Sequence, residues 1–211
     1  ATDEDLRAVF SVDLTTGNRT IISDDNIGSG TSFDGSYDAV IDFDNNRVFI
    51  ADVGIYAVDL TTGNRSLISE DGDGFDFVTS MIHDSENNRL LAIDDENQAI
   101  VAVDITSGER TFISGDSVGT GDEFSNPTGL TFDEENNRLF VSERTSPSII
   151  AVDIETGNRS VLTSNKVGSG ITMNSLAGIA FNKDKNVIYG VLKDSLVVVD
   201  IASGDRVIVS K

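Results

Sequence analysis

The sequence predicts an all-β fold, a β-propeller of four-stranded antiparallel blades, with about four and a half blades in 211 residues. Three observations carry that reading. First, one segment recurs five times, as Val12–Arg19, Val58–Arg65, Val103–Arg110, Val152–Arg159 and Val199–Arg206, always Val-Asp, then Leu or Ile, any residue, Thr or Ser, Gly, any residue, Arg. Second, its glycines, Gly17, Gly63, Gly108, Gly157 and Gly204, follow at intervals of 46, 45, 49 and 47 residues. That spacing suits a four-stranded unit that cannot bury both faces alone and stacks on its neighbours. Third, the runs between these segments are short, β-branched and bounded by Gly, Asn and Asp, with no helical period of useful length.

Each unit is expected to hold strands A to D. In the clearest copy, strand A is Gly129 to Phe132, and a polar turn around Asn136-Asn137-Arg138 follows. Its equivalents centre on Asn45-Asn46-Arg47, Asn87-Asn88-Arg89 and Lys185-Asn186. Strand B is Arg138 to Val141, strand C is Ile149 to Ile154, and a Thr-Gly turn leads to strand D, Arg159 to Leu162. The turn glycine reaches positive φ without steric cost, as a three-residue hairpin with a bulge requires. The aspartate four residues earlier (Asp13, Asp59, Asp104, Asp153, Asp200) accepts backbone N–H bonds inside the turn. A catalytic acid has no need to recur in every unit, so these carboxylates read as structural. The arginines that close the segment (Arg19, Arg65, Arg110, Arg159, Arg206) also recur too regularly for one active site. They are expected to pair with neighbouring carboxylates, each pair worth under ~1 kcal/mol if exposed.

The chain reads as one propeller over residues 1–211. A half blade of strands C and D occupies 1–24, as Ala8 to Leu14 and Arg19 to Ser23, and full blades follow at 35–69, 78–114, 127–163 and 176–210. The A–B pair that would complete the first blade is expected beyond Lys211 or from another chain. An unpaired sheet edge invites a strand, so a protein partner or self-association through the first blade is expected. An open, solenoid-like stack of the same sheets is the rival architecture.

Composition excludes several functions. The formal net charge is −21, from 36 acidic and 15 basic residues. Such a surface repels phosphate backbones and argues against nucleic acid. No run of 18 apolar residues exists, so membrane insertion by a helix is not expected. The start, Ala1 to Asp5, lacks the basic and apolar regions of a signal peptide. With a leader removed, a salty periplasmic or extracellular setting would screen the self-repulsion. Cysteine is absent, so no disulfide supports the fold.

Asp-Leu-Thr-Thr-Gly-Asn-Arg-Thr-Ile-Ile-Ser (13–23), the Gly28-Ser29-Gly30 linker and the Asp…Asn-Asn-Arg hairpin resemble the repeats of bacterial NHL-like proteins. These stand near the six-bladed superfamily of SMP-30/gluconolactonase-like and strictosidine-synthase-like propellers. The resemblance covers nearly the whole chain. It implies a propeller, and either a non-catalytic binding module or a calcium-dependent lactonase or esterase.

The loops between blades carry the remaining candidates. Gly28-Ser29-Gly30, Gly119-Thr120-Gly121 and Gly168-Ser169-Gly170 are each followed by a large apolar residue, Phe33, Phe124 or Met173. They partly imitate a dinucleotide fingerprint but open no helix, so they read as flexible crossings pinned by an apolar plug. In the second unit the loop is Asp71-Gly72-Asp73-Gly74-Phe75-Asp76, where Asp71, Asp73 and Asp76 suit calcium, a hard cation that takes several oxygens on a bendable loop. Strand B ends at Asp52, Asp94 and Glu143, with Val191 in the last unit. These carboxylates form a second candidate metal set, and Ser36, Thr79, Asn126 and Asn174 a candidate ligand rim beside them. Capping of strand ends and ordinary solvation are the structural alternative. In the resembling enzymes Glu, Asn and Asp side chains hold a channel ion, a set that no copy here matches. The single histidine, His83, aligns with Phe132 and Phe181 in strand A, which places it at a packing position, not in a triad.

Three functions follow. The uniform repeats favour a non-catalytic binding or scaffold module of an exported bacterial protein. The acidic rim and the resemblance favour a calcium-dependent lactonase or arylesterase-like hydrolase. The open first blade favours a structural unit that assembles through its edge.

Overall fold

The computed structural model describes residues 1–3, 5–70 and 78–210. They form an all-β protein of the propeller class, with five antiparallel sheets as blades. The first sheet has three strands, β1 (Thr2–Asp3), β2 (Ala8–Val12) and β3 (Arg19–Ser23). The second runs β4 (Asp38–Asp42), β5 (Arg47–Ala51), β6 (Ile55–Asp59) and β7 (Arg65–Ser69). The third is β8 (Val78–Asp84), β9 (Arg89–Asp94), β10 (Ala99–Asp104) and β11 (Arg110–Ser114). The fourth is β12 (Pro127–Asp133), β13 (Arg138–Glu143), β14 (Ser148–Asp153) and β15 (Arg159–Ser164), with a single 3-10 turn at Glu134–Asn136. The fifth is β16 (Leu176–Asn182), β17 (Val187–Leu192), β18 (Ser195–Asp200) and β19 (Arg206–Ser210).

Five sheets replace the expected four and a half blades, and also the six blades that the resemblance implies. The correction lies at the start. Thr2 and Asp3 pair with Val9 and Ala8, so the first sheet carries a strand beside β2 that sequence reasoning left out. Two polar residues have neither apolar alternation nor a repeat signature, and only the pairing partner makes them a strand. The Ala1 nitrogen adds a bond to Phe10 O at 3.0 Å.

Two compact units divide the chain, residues 1–96 with 102–111, and residues 97–101 with 112–211. In the first, the core gathers Val9, Phe33, Val48, Ile50, Tyr56 and Val58. In the second it gathers Phe140, Ile149, Met173, Leu176, Ile188 and Val197, among others. In the second, third and fourth sheets the middle strands are largely buried on both faces. After its first residue β5, β9 and β13 are buried throughout, and each accordingly holds a continuous apolar run, Val48–Ala51, Leu90–Ile93 and Leu139–Val141, not an alternating one. The last strand of each sheet is more exposed.

The Asn-Asn-Arg hairpin folds for a specific reason. Asn46, Asn88, Asn137 and Asn186 take the left-handed conformation with φ of 50, 49, 49 and 51°. Asparagine tolerates this better than most residues. The preceding Asp42, Asp84 and Asp133 are buried and receive Asn45, Asn87 and Asn136 side chains together with the Nε of Arg47, Arg89 and Arg138 at 2.7 to 2.8 Å. Burial raises the Asp42 pKa, but the bonds from Arg47 and Asn45 outweigh it, and the carboxyl sits below its ordinary value of 3.8. The last copy has Asn182 and Val187 in these places, so it has no ion pair there.

Candidate functional site

The repeated turn between the third and fourth strands is built as expected around its aspartate, with one more loop residue. Asp13 N–H bonds Asn18 O and Gly17 N–H bonds Asp13 O, which leaves four residues, 14–17, between the last bonded pair. The Asp13 carboxylate accepts the N–H groups of Thr15 and Thr16 and the Thr16 hydroxyl. Asp59, Asp104, Asp153 and Asp200 are bonded in the same way. These bonds favour the ionised form and hold all five carboxyls below 3.8.

Three of the repeated arginines bond backbone carbonyls and hydroxyls, where carboxylates were expected. Arg65, Arg159 and Arg206 are buried. Arg159 donates from Nε to Asp122 O at 2.7 Å and from Nη1 to Ser114 Oγ, Gly115 O and Val118 O at 2.8 to 3.1 Å. Arg65 does the same with Thr31 O, Ser23 Oγ, Asp24 O and Ile27 O. Arg206 reaches Ile171 O, Thr163 Oγ1 and Val167 O. Each guanidinium thus threads the loop that arrives from the preceding blade. Its planar fork of donors suits several carbonyls at once. The same face covers an aromatic plug, with Arg65 5.4 Å from the Phe33 ring centroid and Arg159 5.3 Å from that of Phe124. Arg19, at the first turn, is exposed and Arg110 is half-buried.

The Gly-x-Gly loops complete this latch. A Cβ on Gly28 would lie 1.9 Å from Gly63 O, and one on Gly119 1.9 Å from Gly157 O. The glycines are there because the loop presses on the next blade's turn, so the flexible crossing expected from sequence is a close contact. Between them, Ser29 and Thr120 give N–H and hydroxyl to Asn64 Oδ1 and Asn158 Oδ1, and Ser169 gives both to Asp205. The same residues accept the N–H of Arg65, Arg159 and Arg206 through their carbonyls. A further set escaped sequence reasoning. Ser23, Ser69, Ser114 and Thr163 donate to the carbonyls of Gly63, Gly108, Gly157 and Gly204 at 2.6 to 3.1 Å. The signal was present, because a hydroxyl stands six residues after every turn glycine.

The candidate site residues divide as follows. Asp71, Asp73 and Asp76 lie outside the described residues. Asp52, Asp94 and Glu143 are each buried, at 1, 1 and 2% exposure. Asp52 uses both oxygens on backbone, Oδ1 accepting Gly35 and Val53 N–H and Oδ2 accepting Asp34 N–H. Glu143 Oε2 accepts the Ser125 N–H and hydroxyl and the Asn126 N–H at 2.8 to 3.1 Å. Its Oε1 is buried and has no hydrogen-bond partner. Register places Leu192, not Val191, at this position of the last sheet, since Leu176 pairs Leu192 as Pro127 pairs Glu143. Among the described residues no group of three or more His, Asp or Glu side chains is placed to hold a metal. Of the rim set, Ser36 is buried with an unpartnered Oγ, Thr79 and Asn126 are half-buried, and Asn174 is exposed. His83 packs as its alignment suggested. It sits 5.4 Å from the Phe49 ring in the first unit, as Phe181 sits 5.9 Å from Phe140 in the second.

Two solved structures share this fold. A chain of a nidogen–laminin complex superposes with a TM-score of 0.73 at 14% identity, over 96% of this chain and 73% of its own. A protein of unknown function from Bacteroides thetaiotaomicron gives 0.73 at 14% identity, over 98% of this chain and 53% of its own. This chain thus spans about half the length of the bacterial one. At such identity the likeness establishes the fold. No family model matches the sequence, and no curated protein does.

Proposed function

We propose that the chain is a non-catalytic binding or scaffold propeller of an exported bacterial protein, related to the NHL-like and SMP-30-like repeats. The observation that carries the reading is the engagement of the repeat's charged residues. The turn aspartates, the hairpin aspartates and three of the five turn arginines are bonded to backbone or to neighbouring side chains of the repeat, which assigns the repeat to assembly of the blades. Recognition then falls to the loops, where scaffold folds commonly carry it. The nidogen–laminin structure is a complex of proteins, which makes a protein partner the leading class. The net charge of −21 favours a salty compartment and a partner that is not a polyanion.

The rival is a calcium-dependent lactonase or arylesterase-like hydrolase, supported by the Asp71, Asp73 and Asp76 loop. Calorimetric titration with calcium, with and without chelator, run beside lactone and aryl ester hydrolysis assays, separates the two. The binding reading expects no turnover in either condition. Calcium-dependent turnover overturns it. Assembly through the first sheet predicts a sedimentation coefficient that rises with protein concentration, and a constant monomer removes that variant.

A further inference from the structure

One concave site in the second unit is left over when the turns and latches are accounted for. A cavity of about 480 Å³ is lined by Glu143 at the end of β13, by exposed Asp122 and Glu123, by exposed Lys166, and by Ile150 and Val161. Its loop is fixed in place, because Arg159 Nε holds the Asp122 carbonyl at 2.7 Å.

Glu143 breaks the repeat. Asp52, at the same position two blades earlier, places both oxygens on backbone N–H groups. The extra methylene of Glu143 lets one oxygen satisfy Ser125 and Asn126 and leaves Oε1 without a donor. A buried acceptor without a donor is costly, and such exceptions are met by an ordered water, an ion or a ligand that supplies the bond. The charge around it selects the ligand. Three carboxylates face one ammonium, so the cavity favours a cation. A calcium ion wants six to eight oxygens in one shell, and these carboxylates are not grouped to hold a metal. An organic cation needs only one or two charged acceptors, and it has a hydrocarbon body for Ile150 and Val161.

We propose that this cavity binds an alkylammonium or alkylguanidinium group, whose N–H donates to Glu143 Oε1 while its methylenes lie on Ile150 and Val161. Oε1 is shielded from bulk solvent. The terminal carboxylate torsion of glutamate is broad, so the group can turn to meet an entering donor. A free amine and a lysine or arginine side chain of a protein partner offer the same chemistry. The second source rests on the binding-module reading, and the test keeps the two apart.

The test is a titration of the full chain with n-butylammonium, n-butylguanidinium and a short lysine-containing peptide, read by amide NMR shifts. The expected result is saturable shifts at Ser125, Asn126 and Lys166, weakened roughly tenfold or more in Glu143→Gln. Lys166→Glu, an exposed change that spares the fold, is expected to tighten binding by removing the competing charge. A peptide that binds tighter than the free amine assigns the cation to a partner protein; equal affinity assigns it to a small molecule. The proposal is overturned if the wild-type chain shows no saturable shift, if Glu143→Gln binds like the wild type, or if Lys166→Glu fails to tighten. Failure here leaves the binding-module reading standing, whereas calcium-dependent hydrolysis ends that reading without touching the cavity.

Discussion

At the scale of single residues, position in the repeat does not decide what an arginine contributes. Arg19 and Arg159 close the same motif, yet one is exposed and the other donates to three carbonyls and a hydroxyl. Arg159→Ala strands those acceptors in a buried place, and is expected to cost about 3 kcal/mol by urea unfolding. Arg19→Ala is expected to cost under about 0.5 kcal/mol. Equal costs would contradict the burial argument. The turn aspartates make a pH prediction. Thr156 holds the Asp153 carboxyl below 3.8 by its hydroxyl and N–H. A group whose folded pKa is lowered stabilises fully above its unfolded value, and loses that contribution as pH falls through the folded one. The melting temperature of Asp153→Asn should therefore fall short of wild type at neutral pH, and the gap should close as pH drops below 3.8. A gap unchanged at low pH would show that the charge has no part in it.

At the scale of elements, two glycines of the repeat serve different ends. Gly17 has φ +73° and nothing within 4 Å of a built Cβ, so Gly17→Ala meets only backbone strain, about 1 kcal/mol. Gly119 has φ +79° and a carbonyl 1.9 Å from that Cβ, so Gly119→Ala must part the loop from the next turn, at about 3 kcal/mol. Denaturant unfolding of the two variants checks the contrast, and equal losses would refute it. Most of the strand plan is legible in the sequence, because short β-branched runs and Asn-Asn and Thr-Gly turns are local signals. The turn length comes out one residue short and β1 is invisible, because both depend on a partner strand. The arginines mislead for the same reason. A sequence shows which carboxylates are near in number, not which carbonyls arrive from the preceding blade. Asp52 and Glu143 stand out as strand ends, but the meaning of one extra methylene appears only with the loop donors in place.

At the scale of the molecule, charge is the one strong force that no contact cancels. A net charge of −21 repels itself, and the Debye length shortens from about 30 Å at 0.01 M to about 8 Å at 0.15 M salt. The melting temperature should rise over that range of sodium chloride. A fall would mean that the surface pairs, such as Lys183 with Glu135, outweigh the repulsion. The comparison structures fix the fold without fixing a ligand, so the assignment of the repeat to blade assembly is the claim that most needs a direct trial.

Amide hydrogen exchange at Arg159 and Arg206, in the wild-type chain and in Gly119→Ala, provides it. Those N–H groups donate to Thr120 O and Ser169 O at 2.7 and 2.8 Å. The account predicts slow exchange at both in the wild type, and selective loss of protection at Arg159 in the variant. Exchange of both at the rate of an open turn, or equal loss at Arg206, would contradict the latch.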